Sequence, residues 1–174
     1  ISGPNAGGKS VCLKSVGLIQ YMLQNGMLVP LQEGSKTGIF ERIFIDIGDE
    51  QSIENDLSTY SSHLLNMKFF LRHSDESTLL LIDEFGTGTE PMLGGAIAEA
   101  VLNQLNQQKA YGVITTHYTN LKYFAASEPG IVNGAMLYDA QRMNPLFILE
   151  IGKPGSSFAF EIAEETWIVG DPEK

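Results

Sequence analysis

The segment Thr78 to Ile82 reads TLLLI, with Ser77 before it and Asp83-Glu84 directly after it. A run so short has the length of a strand rather than a helix, and without polar alternation it must be buried on both faces. Such a strand requires helices packed above and below it, which is the arrangement of a parallel sheet. The rest of the chain supplies them. Val11, Leu13, Val16, Ile19 and Leu23 recur at near-helical spacing across Gly8 to Asn25, and Asn25-Gly26 is a stop signal. Phe40 to Ile47 is rich in β-favouring residues, and Ser61 to Leu71 returns to helical spacing. A helix over about Leu93 to Gln107, a buried strand over Tyr111 to Thr115 and a short helix from near Tyr118 complete the alternation. Val132 to Tyr138 and Leu146 to Ile151, separated by Arg142-Met143-Asn144-Pro145, predict an antiparallel pair added to the sheet, and Phe158 to Thr166 a last helix. The expected class is α/β in one domain over residues 1–174.

The charge balance limits the partners. With 21 acidic and 11 basic residues the net charge is −10, which argues against this piece gripping nucleic acid unaided. One cysteine, Cys12, excludes an internal disulfide framework and a Cys-x-x-Cys metal site. No apolar run reaches the roughly 18 to 20 residues of a spanning helix, and no secretory leader is visible, so a soluble, cytoplasmic protein is expected.

Gly3-Pro4-Asn5-Ala6-Gly7-Gly8-Lys9-Ser10 satisfies G-x-x-x-x-G-K-[ST] and runs into the first helix. Glycines let backbone N–H groups converge on phosphate oxygens, and the helix start adds partial positive charge beneath them. Lys9 is expected to reach the β- and γ-phosphates and the Ser10 hydroxyl to ligate Mg²⁺; the plain alternative is a Gly-rich turn before a helix. Only Ile1 and Ser2 precede the loop, so the leading strand is expected upstream, in a longer protein, and the isolated piece is expected to bind ATP weakly.

Asp83 and Glu84 end the buried strand, at the sheet edge where parallel sheets bind ligands. Asp83 suits a Mg²⁺ partner acting through water, and Glu84 suits the polarising of an attacking water; alternatively the two cap the next turn. Gly86 to Pro91 suits a subunit contact or a simple strand-to-helix connection. His117, after the strand GVITT, is placed to hydrogen-bond a terminal phosphate, or is a surface histidine. Ser58, Thr59, Ser61 and Ser62, at a hydroxyl-rich helix start, suit an anion site or ordinary N-capping. His63 and His73 lack partners at metal spacing and are taken as structural or solvated.

The order of these motifs matches ATPases of the ABC class. GPNAGGKS, DIGDEQSIENDLSTYSSH, LLLIDEFGTGTEP, TTHYTNLK and GKPGSSFAFEIA together resemble the ATPase domain of the MutS family, in its second bacterial branch, over roughly Ile1 to Ala163. The resemblance implies a P-loop NTPase fold of the ABC class and a homodimeric ATPase using ATP and Mg²⁺. It also implies that the site is completed by a second subunit, with Ser58 to Ser62 facing the neighbour's nucleotide. DNA or the ribosome is then engaged by other parts of the parent, which in this branch usually carries a nuclease domain. After Ala163 the pattern departs, with Glu164-Glu165-Thr166-Trp167 in place of a basic helix. The competing reading is a nucleotide-sensing dimerisation module with negligible turnover; a metabolic kinase would need an acceptor pocket for which no residues stand out.

Overall fold

Residues 1–48, 56–87, 90–139, 141, 142 and 144–155 are described by a computed structural model. Helix α1 (Lys9–Gln24) follows a single 3-10 turn over Asn5–Gly7. Strand β1 (Arg42–Asp46), α2 (Asp56–His73), β2 (Thr78–Ile82), α3 (Pro91–Gln107), β3 (Tyr111–Ile114) and α4 (Thr119–Ser127) then alternate. A hairpin of β4 (Gly134–Asp139) and β5 (Asn144–Ile151) ends the described chain. The expected helix over Phe158 to Thr166 lies outside the described residues.

Strands β1, β2 and β3 pair in parallel in that order, with Asp46 opposite Ile82 and Ile82 opposite Ile114. Sequential order with right-handed crossovers puts both connecting helices on one face. The packing agrees: Leu80 and Ile82 of β2 meet Met67 and Phe70 of α2, Ala98 and Leu105 of α3, and Leu121 of α4. The alternate residues, Leu79 and Leu81, point the other way onto Leu13 of α1. Helix α1 comes close enough there that a Cβ on Gly17 would lie 2.5 Å from a methyl of Leu81. Burial of β2 on both faces is therefore met by helices on both sides.

The expected fold class needs correcting here. The antiparallel pair is not added to the parallel sheet: among the described residues β4 and β5 form a separate two-stranded sheet. The reason is the backbone of Ile1 and Ser2, which lies between the two sheets. Ile1 N donates to Ile114 O at 2.6 Å, and its carbonyl accepts from Thr116 N at 3.1 Å. On the far side Ser2 N donates to Gly134 O at 2.8 Å, and Met136 N to Ser2 O at 3.0 Å. Those bonds occupy the groups through which β3 and β4 would otherwise pair. What forms is a small α/β unit of three parallel and two antiparallel strands, not one mostly parallel P-loop sheet of the ABC class with a pair appended.

Candidate functional site

Parallel strands in register end together, so the residues after them collect at one edge. Asp46 closes β1, Asp83 and Glu84 follow β2, and Thr115, Thr116 and His117 follow β3. Asp83 is buried; its N–H donates to Asp46 O at 2.9 Å, and one carboxylate oxygen accepts the Thr115 hydroxyl. The same hydroxyl oxygen accepts from Glu84 N at 2.9 Å, so one buried threonine fixes both acids. Glu84 has φ +50°, the left-handed region that a side chain other than glycine enters at a cost of about 1–3 kcal/mol. Besides Thr115, the Thr87 hydroxyl and N–H hold it there, both donating to Glu84 O, at 2.8 and 3.1 Å. Lys109 and Phe147 are the other described non-glycine residues with positive φ, at +59° and +53°; of the three, Glu84 alone adjoins a buried carboxylate at a strand end.

The glycine loop enters α1 through Gly8 at φ +86°, with Lys9 as the first helical residue. Lys9 is 3% exposed, and its ammonium donates to the carbonyls of Gly3 at 3.1 Å and Pro4 at 3.0 Å. Gly7 N closes a turn onto Pro4 O at 3.0 Å, Ala6 is exposed and Ser10 half-buried. The loop rests on the hairpin: a Cβ on Gly3 would meet Met136 at 3.2 Å, and one on Gly8 would strike the Phe147 ring at 2.9 Å.

Several expected groups stand differently from the sequence reading. Helix α2 is already running at Asp56, so Ser61 and Ser62, both exposed, lie past its first turn and their N–H groups are no longer terminal donors. Ser58 and Thr59 lie on the same helix. His117 is half-buried in the turn between β3 and α4. The segment after Gly86 leads into α3, with Glu90 accepting from Leu93 N at 3.3 Å and Pro91 opening the helix; residues 88 and 89 lie outside the described residues.

A cavity of about 30 Å³ is bordered by Asp46, His63, Asp83, Glu84, Gly86 and Thr87, but by none of residues 3–10. That cavity thus adjoins the carboxylates and not the glycine loop. Sequence reasoning set His63 aside and passed over Asp46 and Thr115. His63 Nδ1 stands 2.7 Å from Asp46 Oδ2, and that hydrogen bond raises the histidine pKa against the opposing effect of burial. The one available signal was that an acid, Asp46, lies at the end of the β-favouring run RIFID, as Asp83 directly follows TLLLI.

Mg²⁺ favours oxygen ligands and keeps most of its waters, so it needs only one or two protein groups beside phosphate. Among the described residues no group of three or more His, Cys, Asp or Glu side chains could hold a metal. By chemistry alone, the Asp83 carboxylate and the Ser10 hydroxyl are oxygen donors of the kind Mg²⁺ takes, and an ammonium at a helix start is of the kind that binds phosphate. A larger cavity of about 160 Å³ carries no such set; its one charged side chain, Lys122, donates to Gly155 O at 2.8 Å, and burial lowers its pKa.

The family model described as MutS domain V matches residues 1–172. The Endonuclease MutS2 of Geobacillus thermodenitrificans is 48% identical over 163 residues, covering 94% of this chain and 21% of that protein. That of Enterococcus faecalis is 48% identical over 164 residues, again 94% and 21%, and that of Geobacillus kaustophilus 47% over 163, with the same shares. The chain spans about a fifth of the length of the curated relatives it matches. These matches correct two expectations. The fold is that of a MutS domain V rather than of an ABC-class P-loop ATPase. The chain taken by itself is a domain V, not a Mg²⁺-dependent ATP-binding and hydrolysing domain completed by a second subunit; nor is the sensing-module alternative kept. Among the described residues no helix is long and apolar enough to cross a membrane.

Proposed function

The chain belongs to the MutS family as a domain V of the MutS2 branch, and from that premise we propose that it serves a longer, DNA-acting protein by contributing phosphate-binding and metal-binding groups for ATP and Mg²⁺. Turnover of ATP is then a property of the intact protein. The observation that supports this most is Lys9, a buried cation at the first position of a helix entered through a left-handed glycine.

Gly3 to Ser10 hold the phosphates, with Lys9 as the cation and Ser10 and Asp83 as oxygen donors to the metal. Bound Mg²⁺ supplies charge neutralisation on the phosphate oxygens. Glu84 accepts a proton from water, and His117 donates to the terminal phosphate. Ser58, Thr59, Ser61 and Ser62 supply further hydroxyls for an anion. DNA is bound elsewhere in the parent, because this chain carries a net charge of −10. Two copies pair through this domain.

The test uses the intact protein and a fluorescent ATP analogue. Lys9→Ala is expected to weaken binding by about tenfold or more, the loss of one charge-assisted contact. Glu84→Gln is expected to keep binding and lose turnover by about 100-fold or more. Unchanged binding in Lys9→Ala would overturn the proposal, and sedimentation of the intact protein as a monomer would remove the pairing.

A further inference from the structure

Asp83 is a buried carboxylate whose two oxygens stand differently. The residue is 6% exposed; Oδ1 accepts the Thr115 hydroxyl, and among the described residues no hydrogen bond reaches Oδ2. A carboxylate so enclosed is costly unless its charge is matched, so Oδ2 is the atom at which a cation, or a water bound to one, is accepted.

The direction of the Thr115 bond is fixed by the hydroxyl's other partner. The Glu84 N–H can only donate, and it donates to Thr115 Oγ1 at 2.9 Å, so the single hydroxyl proton belongs to the bond with Asp83. Nor can the hydroxyl retreat. Thr115 is fully buried, its N–H donates to Ile82 O at 2.9 Å, and its carbonyl accepts from Phe85 N at 2.9 Å. The main chain of Asp83 is held in turn, its N–H donating to Asp46 O at 2.9 Å. With both backbones anchored, the carboxylate keeps Oδ1 against the hydroxyl and presents one oxygen rather than two.

That difference separates two common divalent cations. Ca²⁺ takes roughly six to eight oxygens in a loose shell and often binds both oxygens of a carboxylate, whereas Mg²⁺ takes about six at short distance and keeps several of its waters. We propose that Thr115 is a positioning residue that sets cation specificity: by occupying Asp83 Oδ1 it confines Asp83 to one oxygen and favours Mg²⁺ over Ca²⁺ in the nucleotide complex. This rests on the reading of Asp83 as an oxygen donor to the metal given above. Thr115 acts through Asp83 and touches neither metal nor nucleotide.

The experiment titrates Mg²⁺ or Ca²⁺ into the intact protein with a fluorescent ATP analogue and reads the cation concentration at half-maximal binding. Chelation by the free analogue is the same for every variant, so changes in the ratio of the Ca²⁺ to the Mg²⁺ midpoint report the protein's preference. The parent is expected to need less Mg²⁺ than Ca²⁺; equal binding with either cation, or with neither, would overturn the proposal. Thr115→Ala, which removes the hydroxyl and uncovers Oδ1, is expected to lower the ratio by about tenfold, and Thr115→Ser to keep it within about twofold. Both midpoints raised by the same factor in Thr115→Ala would mean a purely structural role and overturn the proposal, as would a ratio in Thr115→Ser as low as that in Thr115→Ala. Asp83→Asn is expected to raise both midpoints by about tenfold or more. If it does so while Thr115→Ala leaves the ratio unchanged, the proposal falls and the Asp83 reading stands; if it moves neither midpoint, both fall. If Thr115→Ala does not fold, Thr115→Cys, whose thiol is a weak donor, decides: a lower ratio supports the proposal, and an unchanged ratio overturns it.

Discussion

Strands β2 and β5 are both rich in large apolar residues, yet no residue of β2 is more than 5% exposed while Phe147 of β5 is 62% exposed. The first is enclosed by α1 on one side and by α2, α3 and α4 on the other; the second belongs to a two-stranded sheet with an open face. The difference bears on the candidate site, because each sheet carries half of it. Asp83 and Glu84 extend from the enclosed strand, whereas the glycine loop rests on the hairpin through Met136 and Phe147. The loop is also tied to the parallel sheet, by the bonds of Ile1 to β3 before it and by the packing of α1 on Leu81 after it, so it couples the hairpin to the core.

Three substitutions test this contrast. Leu80→Ala, at the centre of the enclosed strand, is expected to destabilise the protein by about 2–5 kcal/mol, read from urea unfolding by circular dichroism. A cost below about 1 kcal/mol would mean that β2 is not the centre of the core. Thr115→Val removes the hydroxyl that serves both Asp83 and Glu84 N and is expected to cost about 1–3 kcal/mol in the same measurement. Stability equal to the parent would show that those bonds are not formed in solution. Ile148→Ala, on the open hairpin, is expected to change stability by no more than about 0.5 kcal/mol. A loss as large as that of Leu80→Ala would abolish the distinction and show that the hairpin is buried against something in solution.

Legibility followed the same division. TLLLI is bounded by polar residues and has no helical alternative, so its predicted ends coincide with β2. Helix α1 was predicted to within a residue at each end, because Gly8 and Asn25 are both terminators by chemistry. The hairpin was less legible. Asn144-Pro145, read as part of the turn, belong to β5, with Pro145 opposite Tyr138 beside an irregularity in register. That pairing follows from a bulge and from the bridge of Ser2 to Ala135, neither of which leaves a local pattern.

In the candidate site, the loop and the Asp83-Glu84 pair are contiguous in sequence, so their places before α1 and after β2 were legible. The Asp46–His63 contact joins positions 17 residues apart and exists only because α2 packs across the end of β1. No spacing rule reports it, and the same is true of Thr115, whose role depends on the register of β3 against β2.

The left-handed backbone at Glu84 also limits which amino acids can occupy that position. Valine, isoleucine and threonine would be selected against there by their branched Cβ alone, before any chemistry is considered, while glycine, asparagine and aspartate would be tolerated by the main chain. In a saturation library, depletion of the branched residues at position 84 would thus report folding, and only the fates of glutamine, asparagine and glycine would report what the carboxylate does.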